Sequence, residues 1–326
     1  MSLFKCTKLI IKAEALDFME LPAYKGSVFR GAFGNAFRKT VCVAKSNSCT
    51  ECILINQCLY SYAFESPVSD QSMICKNYSF APHPFILIPP LDTRHSYEAG
   101  HIFHVELILI GKAIESLPYF IYAMIRMGEL GLGKQRGQFR ILSAKAMDEN
   151  SKYTETIYQN ETMMPIKTIL TLEHAQQKAR QLRSDQIALN FITPLRIQKN
   201  GQLNDNPSFN LIMKNCFRRM TSLLYFHCQD QSPPFYEDAI EQSKYIQKTN
   251  SNTSWQSWSR YSSRQKKRHK LGGLIGEMRF EGDLATFLPY LVACSWVNLG
   301  KGTAFGLGKY VIQEVINPPF DLHNPH

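Results

Sequence analysis

No uninterrupted apolar run in this 326-residue chain approaches the ~18–20 residues that a helix needs to span a bilayer. The opening residues, Met1-Ser2-Leu3-Phe4-Lys5, alternate into a strand and lack the apolar core and cleavage site of a signal peptide. These absences lead us to expect a cytoplasmic protein with no membrane partner. Acidic residues are the scarcer charge, 27 Asp and Glu against 37 Lys and Arg. The resulting formal charge of +10 favours a polyanionic partner. The Gly-x4-Gly-Lys-Ser/Thr pattern is absent, which excludes a Walker P-loop. Histidine is absent from residues 1–82.

What is present is concentrated near the C-terminus. Residues Leu299-Gly300-Lys301-Gly302-Thr303-Ala304-Phe305-Gly306-Leu307-Gly308-Lys309-Tyr310 place four glycines and two lysines between an apolar helix-like run and the strand-like Tyr310-Val311-Ile312. Backbone N–H groups left bare by glycine and flanked by lysine suit phosphate oxygens. The order helix, loop, strand is the reverse of a dinucleotide-binding turn. A second copy lies at Gly128-Glu129-Leu130-Gly131-Leu132-Gly133-Lys134-Gln135-Arg136-Gly137. Both copies follow a strand, a glycine and an apolar helix, and both precede another strand, which marks a duplicated unit. Lys134 and Arg136 of the first copy either join the binding surface or are a structural echo.

Length fits two domains of about 150 residues each. We expect an N-terminal domain over 1–150, a polar linker at about 148–164, and a C-terminal domain over 165–316. A first helix is expected near Gly26–Lys39, with Phe29, Phe33 and Phe37 on one face and Arg30, Gly34 and Arg38 on the other. Residues 229–258 read as loop-rich. The basic run Arg260-Tyr261-Ser262-Ser263-Arg264-Gln265-Lys266-Lys267-Arg268-His269-Lys270 follows Trp255 and Trp258. Cations for phosphates beside rings for bases suit single-stranded or stem-flanking RNA. Each half approximates β-α-β-β-α-β, so the fold class is α+β with two tandem ferredoxin-like domains.

Gly300-Lys301-x-Thr303-x-Phe305-Gly306-x-Gly308-x-Tyr310, with Arg260–Gln265, Gly272-Gly273, Phe280-x-Gly282 and Arg30-Gly31-Ala32-Phe33-Gly34, resembles the RAMP superfamily of CRISPR-associated proteins. Within it the chain is similar to the endoribonucleases that process precursor crRNA. The resemblance implies cleavage of CRISPR repeat RNA by 2′-hydroxyl attack, giving a 2′,3′-cyclic phosphate with no metal needed. It implies RNA contacts at Gly300, Lys301, Gly302, Gly306, Gly308 and Lys309, with Arg260, Arg264, Lys266, Lys267 and Arg268 gripping the repeat's stem or flank. Members commonly carry a histidine in or near the first helix, and this chain departs from that. The candidates there are Tyr24, Lys25 and Arg30, with His83, His101, His104 and His269 available only through folding. A non-catalytic crRNA-binding subunit of a CRISPR effector complex is the alternative, and a metal-cluster protein acting on DNA is a third reading.

Four of nine cysteines form Cys42-x6-Cys49-x2-Cys52-x5-Cys58 within an insertion at about 40–60. Four thiolates in so short a segment suit either a structural [4Fe–4S] cluster or zinc. The spacing resembles the cluster loop of endonuclease III-type DNA glycosylases. Cys6, Cys75, Cys216, Cys228 and Cys294 read as ordinary buried thiols.

Overall fold

The computed structural model describes residues 3–45, 48–49, 51–66, 68, 81–230, 236–262 and 267–315, the side chains of 259–262 and 267–271 excepted. The first half runs β1 (Lys5–Ala15), α1 (Gly26–Val41), β2 (Phe85–Ile88), β3 (Ile102–Ile110), α2 (Leu117–Leu130) and β4 (Phe139–Met147), and its sheet order is β2-β3-β1-β4 with antiparallel neighbours. Strand alternation turns Leu9, Ile11, Ala13 and Ala15 inward, where they meet Phe29, Phe33 and Phe37 of α1 and Phe120 and Met124 of α2. Pro118 opens α2 and Gly131, at φ +74°, ends it.

The chain continues through β5 (Tyr153–Gln159) and α3 (Leu172–Ala179) into the second half: β6 (Gln186–Leu195), α4 (Phe209–His227), α5 (Glu237–Gln242), β7 (Gln247–Ser262), β8 (Lys267–Glu281), α6 (Leu288–Trp296) and β9 (Tyr310–Gln313). Its sheet order is β7-β8-β6-β9. With α5 set aside, strand path and order repeat those of the first half. Both are ferredoxin-like units, two helices on an antiparallel sheet.

Two expectations are corrected. The polar stretch 148–164 is not an irregular linker, because β5 pairs with β4 and Thr162–Met163 pairs back onto β5. The loop-rich reading of 229–258 fails from Gln247 onward, where β7 begins. Its Ser, Asn and Thr side chains stay mostly exposed, so no apolar alternation announced the strand. From Gln256↔Gly273 to Ser262↔Lys267 the β7–β8 ladder has no β6 partner, so it is a two-stranded arm ending at the basic run.

The two halves share a core. Phe4 and Cys6 of the β1 end, Ile86 and Ile88 of β2 and Ile108 and Ile110 of β3 join one cluster with Leu189, Phe191, Phe217 and Trp296 of the second half. His227, at the end of α4, crosses the same boundary. Its Nε2–H donates to Pro82 O at 2.5 Å, and its Nδ1 faces the Tyr62 hydroxyl at 3.2 Å. Burial, opposed by the Pro82 bond and reinforced by the Arg219 charge, pushes its pKa down to about 4.

Two predictions follow from this architecture. A Cβ added at Gly308, whose φ is +73°, would lie 1.7 Å from Leu299 O, whereas one at Gly31 of α1 meets nothing within 4 Å. Gly308→Ala should therefore cost at least about 2 kcal/mol in urea unfolding, and Gly31→Ala should add about 0.5–1 kcal/mol. His227 binds its proton less readily folded than unfolded, so stability is unaffected above its unfolded pKa of about 6.5 and falls as pH drops from there toward about 4. The urea midpoint should decline across that window, and His227→Gln should reduce the decline.

Candidate nucleic-acid interface

The glycine-rich loop folds back across the boundary between the halves. Thr193 Oγ1 donates to Gly306 O at 2.7 Å and accepts from Lys309 N at 2.8 Å, while Asn298 Nδ2 donates to Leu307 O at 3.0 Å. Its outer edge lies on the first half. Tyr24, just before α1, donates its hydroxyl to Phe305 O at 2.5 Å. A Cβ at Gly26 would lie 2.2 Å from the same Phe305 O, so only glycine lets α1 start this close to the loop.

Around this seam the aromatic and cationic side chains converge. The Arg30 guanidinium carbon stands 5.0 Å from the Phe64 ring centroid and 5.0 Å from that of Phe305. Its Nη2 lies 3.1 Å from His83 Nε2. Burial first, then the Arg30 charge, pushes the His83 imidazole down to about 4, so it is neutral at pH 7 and accepts from Arg30 at Nε2. Tyr24 packs on Trp258 at the base of the arm, ring centroids 5.0 Å apart. Trp258 Nε1 and Arg196 Nη1 are buried and have no hydrogen-bond partner among the described residues. Two such donors beside the seam suit phosphate or base acceptors.

The expected site residues separate under folding. Arg30 is at the seam. Tyr24 is there too, but its hydroxyl is held by Phe305 O and burial raises its pKa well above the tyrosine norm, so it serves as a strut. Lys25 turns the other way. Its side chain is 0% exposed, with Nζ 2.7 Å from Asp92 O and 3.4 Å from Asp92 Oδ1. Lys301 is exposed at the loop tip, next to Arg196, whose carbonyl accepts Lys301 N at 2.8 Å. Gly300 and Gly302 are half-buried, whereas Gly306 and Gly308 are buried against protein. Lys309 is ion-paired with Glu106 of β3 and lines a cavity of about 240 Å³ with Lys8 and Lys178. Arg264 and Lys266 lie outside the described residues. Arg260, Lys267 and Arg268 are placed by backbone alone, in the last pairs of the arm. Glycines of the first loop press on Phe18 and Glu20 of their own half, leaving Lys134 and Arg136 exposed.

His83, Arg196 and Phe64 were not singled out as partners of Arg30 or Lys301 by any spacing. His83 is 53 residues from Arg30 in the chain, and only the fold joins them. Cys42, Cys49, Cys52 and Cys58 are half-buried, with thiols unpaired to one another. Among the described residues, no three His, Cys, Asp or Glu side chains stand close enough to hold a metal ion as the chain is placed. Cys6, Cys216, Cys228 and Cys294 are buried, and Cys75 lies outside the described residues. No helix of the described residues is long and apolar enough to cross a membrane.

Comparison with known proteins bears on both halves. Residues 4–171 match a family model described as an N-terminal domain (AF_1859_N), and residues 189–310 match that of the CRISPR-associated endoribonuclease Cas6. An uncharacterized protein of Archaeoglobus fulgidus is 25% identical over 175 residues, 54% of this chain, and the chain spans only 56% of that curated relative. Among solved structures, a partial Cas6-RT-Cas1–Cas2 complex matches all of this chain and 48% of its own, with TM-score 0.58 and 14% identity. A Cas6 (TTHB231) product complex matches 94% of this chain and 100% of its own, with TM-score 0.56 and 13% identity. Thermus thermophilus Cas6 (TTHB231) matches 95% and 99%, with TM-score 0.51 and 11% identity. At such identities these structures speak for the fold. With the Cas6 model covering the second ferredoxin-like half and the glycine-rich loop, residues 189–310 belong to the CRISPR-associated endoribonuclease Cas6 family, and residues 4–171 to the family of the N-terminal-domain model.

Proposed function

We propose that this protein binds CRISPR repeat RNA along the seam and the arm, and cuts precursor crRNA at a single position with no metal in the reaction. The observation that carries this reading is the Arg30–His83 pair, a cation and a neutral imidazole held 3.1 Å apart where α1 meets the glycine-rich loop. His83 supplies the imidazole that residues 1–82 lack. The scissile phosphate draws the Arg30 guanidinium to its oxygens, and this uncovers the His83 Nε2 lone pair. Nε2 then takes the 2′-hydroxyl proton as the O2′–P bond forms and the P–O5′ bond breaks. The products are a 2′,3′-cyclic phosphate and a 5′-hydroxyl, O5′ taking its proton from water. Lys301, exposed at the loop tip, the arm residues Arg260, Lys267 and Arg268, and Arg264 and Lys266 of the same basic run hold the RNA backbone. The inward-facing Lys309 instead holds the two halves together. Other CRISPR subunits are proposed partners, supported by the assembly named for the structural neighbour that contains Cas1 and Cas2.

A second reading, a crRNA-binding subunit that does not cut, is favoured by the burial of His83 and by the commitment of Tyr24 and Lys25 to protein partners. The deciding experiment incubates the protein with end-labelled repeat RNA in EDTA, beside RNA carrying a 2′-deoxy sugar at the cleavage position. One cut ending in a cyclic phosphate and blocked by the deoxy sugar is expected. His83→Ala should slow it by about 10²–10⁴ and Arg30→Ala by about 10²–10³ with RNA still bound. Tight binding with no cut would establish the carrier, and preference for DNA would overturn both readings. Lys301→Ala should weaken binding and reduce the salt slope by about 1, read by filter binding at several salt concentrations. An unchanged slope would remove Lys301 from the interface.

A further inference from the structure

The segment between α1 and the helical turn Ser61–Glu65 has no strand or long helix of its own among its described residues, only successive turns closed by Cys52 N to Cys49 O, Ile55 N to Cys52 O and Gln57 N to Leu54 O. It also packs poorly, with Val43 79% and Ile53 96% exposed. An irregular connection of this length within a compact domain calls for a staple. Four thiols are its distinguishing groups, and they are distributed as a staple requires. Cys42 caps α1, its N–H bonded to Arg38 O, and Cys58 O receives Tyr62 N at the start of the return. Cys49 and Cys52 share the turn between them. Cys42, Cys52 and Cys58 line one cavity of about 780 Å³ together with Tyr62, Lys112, Ser116 and Tyr119. Cys49 lies near enough to feel the charges of Arg38, Cys58 and Cys42.

We infer that Cys42, Cys49, Cys52 and Cys58 close together around a thiolate-bound metal centre, zinc or [4Fe–4S], that braces this segment. As placed, the thiols are not drawn into a ligating group. Closing requires Cys49 to swing toward the cavity that the other three already line, and the exposed Val43 and Ile53 offer little packing to oppose that movement. Four thiolates on either centre carry a net charge of about −2. Arg38 beside Cys49 and Lys112 in the cavity wall are placed to offset it, and Glu65, also beside Cys49, opposes them. The single Cys-x2-Cys pair, followed by x5 to Cys58, departs from the two paired knuckles of a zinc ribbon. The centre is structural, because it sits on the connection after α1, with the stacked Tyr60 and Phe64 rings between it and Arg30. It acts on the shared boundary through Tyr62, whose hydroxyl meets His227.

The test is elemental analysis of the full chain purified anaerobically, with its ultraviolet–visible spectrum. About four iron per chain with brown absorbance near 400 nm identifies the cluster, and about one zinc in colourless protein identifies the zinc site. Either result supports the inference, provided that the Cys49→Ser/Cys52→Ser variant loses about tenfold or more of its metal. That variant should also melt at lower temperature and be cut by protease between residues 42 and 58. If it does not fold, removing metal from the native protein with a chelator should produce the same proteolytic cut. Folded native protein with neither metal, or metal kept undiminished by the variant, would overturn the site.

Discussion

The RNA chemistry proposed for this molecule depends on the contact between the glycine-rich loop and the start of α1. The loop belongs to the second half, yet Phe305 is accepted by the first. Its carbonyl receives the Tyr24 hydroxyl, its ring lies on Arg30, and Gly26 gives it room. Without this closure, Arg30 would lose one of its two aromatic walls. A guanidinium against a ring is worth about 0.5–1 kcal/mol when exposed and about 2 or more when desolvated. Two rings therefore offset part of the several kcal/mol that burying a charge costs. The remaining part is met by polar groups such as His83. The same contact that joins the halves thus holds a half-buried cation beside a neutral imidazole.

Much of the architecture was legible because it is periodic. The Phe29-x3-Phe33-x3-Phe37 face, the alternation in β1 and the repeated glycine loops each report a local rule, and together they yield two ferredoxin-like units. The arm was half legible. Its basic tip stood out, but β7 did not, because an edge ribbon with mostly exposed side chains has no need of an apolar alternation. The polar stretch after β4 misled for a related reason, since β5 extends the edge of a sheet whose core is already filled.

The site was less legible, and the reason is long-range pairing. Lys25 looks like a solvated residue before a helix, and nothing near it in sequence announces Asp92. His83 reaches Arg30 only because β2 runs beneath α1. Lys309 reads as a phosphate ligand beside glycine, but β3 presents Glu106 to it. The glycines are the subtlest case. Their abundance was read as room for RNA, whereas at Gly308 the backbone itself demands glycine, and Gly306 faces Ile88 and Pro89. Glycine spacing locates a crowded loop without saying what crowds it.

The shared core has a consequence for how the two copies can change. After duplication, each ferredoxin-like unit could in principle have kept a solvated outer face and drifted on its own. Here Ile86, Ile88, Ile108 and Ile110 of one copy lie in the same apolar cluster as Leu189, Phe191 and Phe217 of the other. A side chain exchanged in β3 must therefore be accommodated by the opposing half, so substitutions on the two inner faces are expected to arise in compensating pairs. Recombination that replaced one half with a distant relative's would bring together mismatched surfaces. The two units began as interchangeable copies, and their packing has made them inherit as one.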